Sequence, residues 1–444
     1  MSARGTLFIP YDIGLGDLGQ AAYRDKTPLI DKDGLIIFAM WASLLFITRL
    51  GTYGALLFTL SALLLALRHR GAVREALRSQ SVFLLFPAYA VLSTLWSEAP
   101  AETLKHSLEF SITVIAAFVL IQMPNRRSMM FALFVAFALY CLASLLFGGT
   151  VEVGTTGVSA FSGLADSKNE EASTATLGAI VSLAWLFLSL RARRYWEGLI
   201  ALPVLPAEIY AAVLARSAGA LAALAVGIAL FLLLALLIKA TERLRAVFVG
   251  FGGIVSLACA LVFLLFTGPI VEFVSGWFGK DVTLTGRTYL WARARDLIVE
   301  QPILGRGFSS FWQQGNLDAE GLWQFAHVTS RSGFNFHNTG YDILVSLGWV
   351  GMCLFTLGLI AGLVRLAVSY VKRPGLLAAF WLAVGASLVV RLPVETIGTY
   401  EFSFGTIFLF ASLGYAASVR RHDPRVETPW AADAPMAPLA PLRP

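Results

Sequence analysis

The chain has 444 residues, of which 57% are hydrophobic and only 14% are charged, and its mean hydropathy is +0.72. Soluble domains carry roughly 25% charged residues, so this composition excludes a water-soluble globular protein. The net charge of +6 fits the basic cytoplasmic loops of a membrane protein better than a nucleic-acid surface. All three cysteines lie inside apolar runs, which excludes a disulfide framework or a cysteine-based metal site.

Apolar runs follow a polar N-terminal segment that lacks the apolar core and cleavage site of a signal peptide. A membrane-spanning helix needs about 20 predominantly apolar residues. The sequence therefore predicts an all-α polytopic membrane protein with about twelve transmembrane helices. The runs cover 34–48, 51–67, 81–95, 106–122, 129–147, 173–190, 198–214, 218–238, 247–267, 341–366, 376–392 and 404–419.

The runs and the long polar segment between them predict five regions. These are a cytoplasmic tail (1–33), transmembrane helices 1–9 (34–267), a large outer loop (268–340), transmembrane helices 10–12 (341–419) and a disordered Pro/Ala-rich tail (420–444).

Every second connection between the runs is basic, as in Arg126-Arg127 after the fourth run and Arg420-Arg421 after the twelfth. The positive-inside rule assigns such connections to the cytoplasm. Both termini are then cytoplasmic, and the loop 268–340 lies on the outer face. A loop of this length is more often functional than a plain connection.

The first part of the large loop predicts an amphipathic helix that Pro302 ends. Its apolar residues fall on one helical face, and two explanations fit this pattern: a helix lying on the membrane surface, or a lid helix that packs on the protein. The following Gly305-Arg306-Gly307 predicts a tight turn, since glycine permits positive φ. The apolar face consists of Leu290, Trp291, Ala294, Leu297 and Ile298.

His337-Asn338 comes immediately before the tenth apolar run. A reaction that needs a base near neutral pH favours a histidine. A lone histidine is usually structural, but His337 stands where the loop meets the membrane, at the level where a lipid-linked substrate presents its head group. The sequence has no HExxH motif, and His327 and His337 lack zinc-type spacing, so no metal is assigned.

Arginines near the predicted outer membrane face are the second indication of a functional site. Arg216 lies between the seventh and eighth runs, and Arg391 ends the eleventh. An arginine at the centre of a transmembrane helix costs about 2.5–3.5 kcal/mol, and less near an end, so such residues tend to be retained for a partner. The planar fork of arginine donors suits phosphate. Snorkelling to the interface is the alternative for both, and Lys168 in a smaller outer loop either contacts a phosphate or is solvated.

An ordered series of motifs resembles the O-antigen ligase and Wzy-type polysaccharide polymerase superfamily, which includes exopolysaccharide polymerases. The resemblance covers about 285–351 well and otherwise rests on topology, with weaker landmarks at Lys168-Asn169 and Arg216-Ser217. The family often has Ser-Arg at the latter site, so the role of Arg216 is open. The series comprises Gly286-Arg287, Trp291, Pro302, Gly305, Gly307, His337-Asn338, Leu344 and Leu347-Gly348-Trp349-Val350-Gly351.

This resemblance implies a GT-C-like glycosyltransferase of the bacterial inner membrane that works without a metal or cofactor. The implied donor is a glycan on undecaprenyl diphosphate, and the implied acceptor is another glycan in polymerases or lipid A–core in ligases. The other implied partners are membrane lipid, a flippase and a chain-length regulator. The implied roles are a catalytic base (His337), diphosphate binding (Arg216, Arg287 and Lys168) and support (Asn338, Arg391 and Arg306).

Two other classes compete with this interpretation. A lipid-linked sugar transporter would also need many helices and outward arginines, but transporters place ionisable residues nearer mid-membrane. A purely structural membrane component would leave His337 and Arg216 unexplained. Within the family, the sequence leans slightly towards an exopolysaccharide or O-antigen polymerase, with the ligase close behind.

Overall fold

The computed structural model describes residues 28–152, 159–265, 282–328 and 334–419. The predicted C-terminal tail, most of the N-terminal tail and parts of the large loop lie outside the described residues. The helices of the first half are α1 (Lys32–Leu45), α2 (Ile47–Leu50), α3 (Thr52–Arg68), α4 (Arg70–Ser79), α5 (Leu85–Leu92), α6 (Pro100–Leu120), α7 (Arg126–Phe147) and α8 (Lys168–Arg191).

A short antiparallel hairpin of β1 (Gly149–Glu152) and β2 (Ser159–Gly163) precedes α8. The remaining helices are α9 (Tyr195–Leu199), α10 (Ala201–Leu214), α11 (Ala218–Leu237), α12 (Glu242–Leu265), α13 (Val282–Glu300), α14 (Leu317–Phe325), α15 (Thr339–Lys372), α16 (Leu376–Arg391) and α17 (Phe404–Val419).

Each predicted apolar run overlaps one of these helices, which confirms the all-α membrane architecture. In the described part of the chain, six helices are long and apolar enough to cross a bilayer, and α3 with α4, which bend by 98°, would make a seventh. Three shorter apolar helices come close to that length: Leu85–Leu95, Leu376–Arg391 and Phe404–Ser418. Twelve crossings therefore stay a prediction.

Helix α8 lies at the centre of the bundle. It contacts α7, α10, α11 and α16, and 83% of its most apolar stretch is buried inside the protein. A helix that is apolar on all sides is expected in such a position. Its first turn is capped by the Ser167 hydroxyl, which accepts a hydrogen bond from the Glu170 N–H at 3.2 Å. This cap fixes the start of α8, where Lys168 is the first residue.

The predicted loop helix is present as α13, and it ends at Glu300, just before Pro302. Its apolar face is buried against α14 and the strand-like segment before α15, with Trp291 donating from Nε1 to the Phe336 carbonyl at 2.8 Å. The expectation that this face lies on the membrane surface is therefore wrong. The face packs on the protein instead, as the lid-helix alternative predicted. The sequence pattern showed an apolar face but could not show whether lipid or protein covers it.

Helix α15 is broken at Gly348, whose φ of 61° and ψ of −165° are not helical. The segment after Pro302 fills the break: the Trp349 N–H donates to the Pro302 carbonyl at 2.8 Å, and the Gly307 N–H donates to the Ser346 carbonyl at 2.8 Å. The predicted turn at Gly305 and Gly307 is confirmed, with φ of 68° and 106°. Gly305, Gly307 and Gly348 thus allow the large loop to pack against the half-helix 339–347 that follows His337.

Gly348→Ala should lower the free energy of unfolding by at least about 1–3 kcal/mol, because its backbone lies in a region that is essentially restricted to glycine. A Cβ there would also lie 2.3 Å from the Ile303 carbonyl oxygen. Thermal unfolding of the detergent-solubilised protein measures the change. Gly358→Ala in the same helix is the matched control, because its Cβ would meet only Phe83 at 3.7 Å. Equal melting temperatures for the two variants would contradict this account of the break.

Candidate active site at the start of α15

The loop 392–403 between α16 and α17 lies directly against the start of α15. The Thr339 N–H donates to the Leu392 carbonyl at 2.9 Å, and the Thr339 hydroxyl donates to the Glu395 carbonyl at 2.9 Å. Asn338 caps α15 by accepting from the Tyr341 N–H at 3.1 Å, and its Nδ2 donates to the Pro393 carbonyl at 2.8 Å. The predicted supporting role of Asn338 therefore has a concrete form: it holds the two segments together.

An ion cluster forms where these segments meet. Arg287 on α13 donates from Nη2 to Glu395 Oε1 at 3.0 Å and from Nη1 to the Val394 carbonyl at 2.7 Å. The other carboxylate oxygen of Glu395 lies 3.5 Å from His337 Nδ1. Glu395 thus contacts both Arg287 and His337, which are 50 positions apart in the chain and were predicted separately as site residues.

Burial of Glu395 would raise the pKa of its carboxyl group. The positive charges of Arg287 and Arg391, together with the hydrogen bond and charge of His337, outweigh burial and hold this pKa at about 2. The carboxylate is therefore ionised at neutral pH. A neutral imidazole that donates its Nδ1–H to Glu395 leaves the lone pair of Nε2 free to accept a proton.

Arg391 connects this cluster to α8. Its side chain is 3% exposed, and it donates to the Ser173 hydroxyl and, at 3.4 Å, to the Asn169 carbonyl. Asn169 directly follows Lys168, the first residue of α8. The first turn of α8, which carries the positive end of the helix dipole, therefore lies beside Arg391.

Arg216 lies in the turn between α10 and α11, with a φ of 49° and an exposed side chain. The start of α11 packs against the loop 392–403, because a Cβ on Gly219 would lie 3.2 Å from Val394 Cγ2. Arg216 is therefore three residues from Gly219, which packs on Val394, the residue before Glu395. The sequence had not indicated which residues this arginine would approach.

Arg306 does not join this group. Its guanidinium pairs with Glu98 and Glu300 and is 9% exposed, so it fixes the turn after α13 to the segment before α6. Glu395, in contrast, was absent from the sequence prediction. The available signal was a carboxylate four residues after a buried helix-end arginine, since a buried cation needs a counter-charge.

A second histidine cluster lies on α6. His106 Nδ1 is 2.8 Å from Glu401 Oε1 and 3.5 Å from Glu109 Oε2, while its Nε2 is 3.4 Å from Glu102 Oε2. Within the described residues, His106, Glu109 and Glu401 form the group whose geometry could hold a cation, with ligand atoms within 4.8 Å of one another. The expectation of metal-free chemistry therefore needs a direct test.

Comparison with known proteins defines the class to which this fold and site belong. Residues 204–356 match the family model described as O-antigen ligase, and this range contains Arg216, Arg287 and His337. The chain is also 30% identical over 349 residues to the exopolysaccharide production protein ExoQ of Rhizobium meliloti strain 1021, covering 76% of this chain and 77% of the relative. The chain belongs to the O-antigen ligase and polymerase superfamily, as its motifs indicated.

Proposed function

We propose that this protein is a glycosyltransferase that takes a glycan from undecaprenyl diphosphate and joins it to an acceptor glycan at the periplasmic face of the bacterial inner membrane. The observation that carries the proposal is the position of Glu395, which holds Arg287 beside His337. A cation suited to a diphosphate and a base suited to a hydroxyl group thus lie on either side of one carboxylate.

The reaction follows from these positions. His337 Nε2 accepts the proton of the acceptor hydroxyl as its oxygen attacks the anomeric carbon of the donor. The bond from that carbon to the diphosphate oxygen breaks, and its electron pair leaves with the diphosphate. Glu395 stabilises the imidazolium that forms, as the carboxylate of a triad does. A single displacement of this kind inverts the anomeric centre.

The cationic residues around the loop would stabilise the leaving group. Negative charge builds on the diphosphate as the bond breaks, and preorganised donors are most effective against charge that develops in the transition state. Arg287 is the first candidate because it contacts the loop directly. Lys168, in the first turn of α8, and Arg216, in the turn before α11, are the further candidates for diphosphate binding. Arg391 is buried, and its charge helps Arg287 and His337 to keep Glu395 ionised.

The acceptor decides between two members of the proposed class. The relative from Rhizobium meliloti is named for exopolysaccharide production, which favours a polymerase that joins lipid-linked repeat units. The family description O-antigen ligase keeps transfer to lipid A–core as the second candidate. A flippase is the candidate from another class, and the base beside the arginine, which transport does not need, argues against it.

The deciding experiment uses the purified full-length protein, a lipid-linked oligosaccharide donor and a glycan acceptor, with and without EDTA. We expect glycan transfer that persists in EDTA, because the arginines and the lysine supply the positive charge that a metal would otherwise supply. Loss of transfer in EDTA and recovery with a divalent ion would contradict metal independence and direct attention to the His106 cluster. Movement of donor between leaflets without transfer would establish the flippase instead.

Arg287→Ala should lower kcat by about 10²–10³, the range found when one preorganised transition-state donor is removed. Arg287→Lys should recover little of this, because an ammonium group lacks the planar fork that reaches both the Val394 carbonyl and the Glu395 carboxylate. Steady-state transfer kinetics with varied donor measure the effect. Arg295→Ala, an exposed position on the same helix, is the control, and equal losses in both alanine variants would argue against a role for Arg287.

A further inference from the structure

A cavity of about 500 Å³ lies beside the site, between the start of α6, the segment 308–314 and the first turns of α15. Small-molecule sites generally occupy about 300–1,000 Å³, so this space is large enough for a ligand. The reaction steps proposed above use none of the residues that line it.

One residue, Phe334, contacts both the cavity and the proposed base His337. Phe334 lines the cavity, and its ring packs edge-on against the His337 ring with centroids 5.8 Å apart. Behind it, Asn335 Oδ1 accepts from the His337 N–H at 2.7 Å and from the Thr396 hydroxyl at 3.2 Å. Thr396 also donates to Asp342, another lining residue. A molecule in the cavity would therefore lie next to residues that contact His337 directly.

The lining has a distinct chemical character. Trp312 and Phe334 offer aromatic faces, while Gln313 and Gln314 offer amide groups. Aromatic faces with a few placed polar groups are the combination that binds an apolar sugar face and its hydroxyl groups.

The charges of the lining are equally distinct. In the part of the chain that the structure describes, the ionisable side chains that face the cavity are Asp342, Glu401, His106 and the phenol of Tyr400, with no lysine or arginine. His106 is already held by Glu401 at 2.8 Å and flanked by Glu102 and Glu109. The cavity lining thus differs from the cluster around Glu395, where Arg287 and Arg391 supply positive charge.

We infer that this cavity binds the acceptor glycan through an uncharged sugar and discriminates against a phosphorylated one. The inference rests on the proposed function for its link to transfer. A phosphate that entered the cavity would lose its hydration without meeting a free cation and would face carboxylates, which is costly. A neutral hexose loses only hydrogen bonds with water that the amides, carboxylates and hydroxyls of the lining can replace. An acceptor of this kind is a lipid-linked neutral glycan, as a polymerase uses.

The test pairs two probes, a short oligosaccharide of uncharged hexoses and the same molecule with one phosphate monoester on its terminal sugar. Binding to the full-length protein in lipid nanodiscs is measured by calorimetry, and transfer by acceptor KM and kcat. The neutral probe should bind at least about ten-fold more tightly than the phosphorylated one, a difference that one unfavourable charge contact of ordinary size produces.

Variants locate the effect. Trp312→Ala should weaken binding of the neutral probe and raise acceptor KM by about ten-fold with little change in kcat, because one stacking surface is removed. Phe325→Ala, a half-exposed aromatic residue on α14 that packs on Tyr289, is the matched control. Glu401→Gln keeps the shape of the lining but removes a carboxyl group. It should therefore reduce the ratio of the affinities for the neutral and the phosphorylated probe. If Trp312→Ala does not fold, Trp312→Phe and Glu401→Gln still decide the question.

The outcomes separate the two proposals. Equal affinity for both probes, or neutral-probe binding that neither Trp312→Ala nor Glu401→Gln alters, would overturn the inference even if transfer occurs. Neutral-probe binding that depends on Trp312 but is never followed by transfer would refute the proposed function and leave the sugar site standing. His337→Ala should lower the rate of transfer by about 10²–10⁴-fold while retaining binding of the neutral probe, which would support both proposals.

Discussion

His337→Ala should lower the rate of glycan transfer by about 10²–10⁴-fold, the usual contribution of a positioned general base. The reason is geometric: His337 is the imidazole that Glu395 holds at 3.5 Å, next to Arg287. Single-turnover transfer with saturating donor and acceptor measures this loss directly. Donor and acceptor binding should change little, because the loss lies in the chemical step.

The matched control is His327→Ala, the exposed histidine of the same loop, which should retain wild-type activity. The backbone of His337 has a φ of 49°, a region that asparagine tolerates well. His337→Asn therefore keeps the local conformation while removing the base, and it should be as inactive as His337→Ala. An active His337→Asn would show that the imidazole is structural.

The helices were largely predictable because lipid imposes a simple rule on them. A segment that crosses hydrocarbon must satisfy its own backbone groups and present apolar side chains, so runs of apolar residues and helices coincide along the chain. The breaks were less predictable. The run through Leu347, Gly348 and Trp349 reads as one uninterrupted apolar helix, but hydrogen bonds with Pro302 and Gly307, far earlier in the chain, accompany a break at Gly348.

The candidate site was predictable where a residue type is unusual for its surroundings. Arg391 at the end of an apolar run and His337 directly before another apolar run stand out in a sequence that has few polar residues there. Glu395 does not stand out, since acids are common in outer connections, and its importance comes from contacts with Arg287 and His337, 108 and 58 positions away. The only local signal for Glu395 was its position four residues after Arg391, and this spacing does not indicate the contacts with Arg287 and His337.

Glu395→Ala should be the most damaging change at the site, because it removes the carboxylate that pairs with Arg287 and His337 and lies near the buried Arg391. Breaking a buried ion pair by deleting one partner costs about 3–5 kcal/mol, since the remaining charge is left uncompensated. Glu395 and Arg287 have side chains only 15% and 16% exposed, so solvent screens little of this effect. We expect a large fall in melting temperature together with loss of transfer.

Glu395→Gln separates the two effects. It keeps the volume and one acceptor oxygen but removes the charge, so the protein should still fold while kcat falls, because the imidazolium loses its anionic partner. Glu152→Gln on β1, an exposed carboxyl group, is the control. Wild-type kcat and melting temperature in Glu395→Gln would show that the ion cluster is incidental.

The pH dependence of stability gives an independent check on Glu395. Its pKa is lowered from 4.5 to about 2 in the folded protein, so the folded state binds this proton less readily than the unfolded state. The resulting stabilisation is complete above the ordinary value of 4.5 and is lost as the pH falls towards 2. The difference in melting temperature between the wild type and Glu395→Gln should therefore be constant from pH 7 to about pH 5 and shrink at lower pH. A difference that grows on acidification would mean that Glu395 is not held as a buried carboxylate between Arg287 and His337.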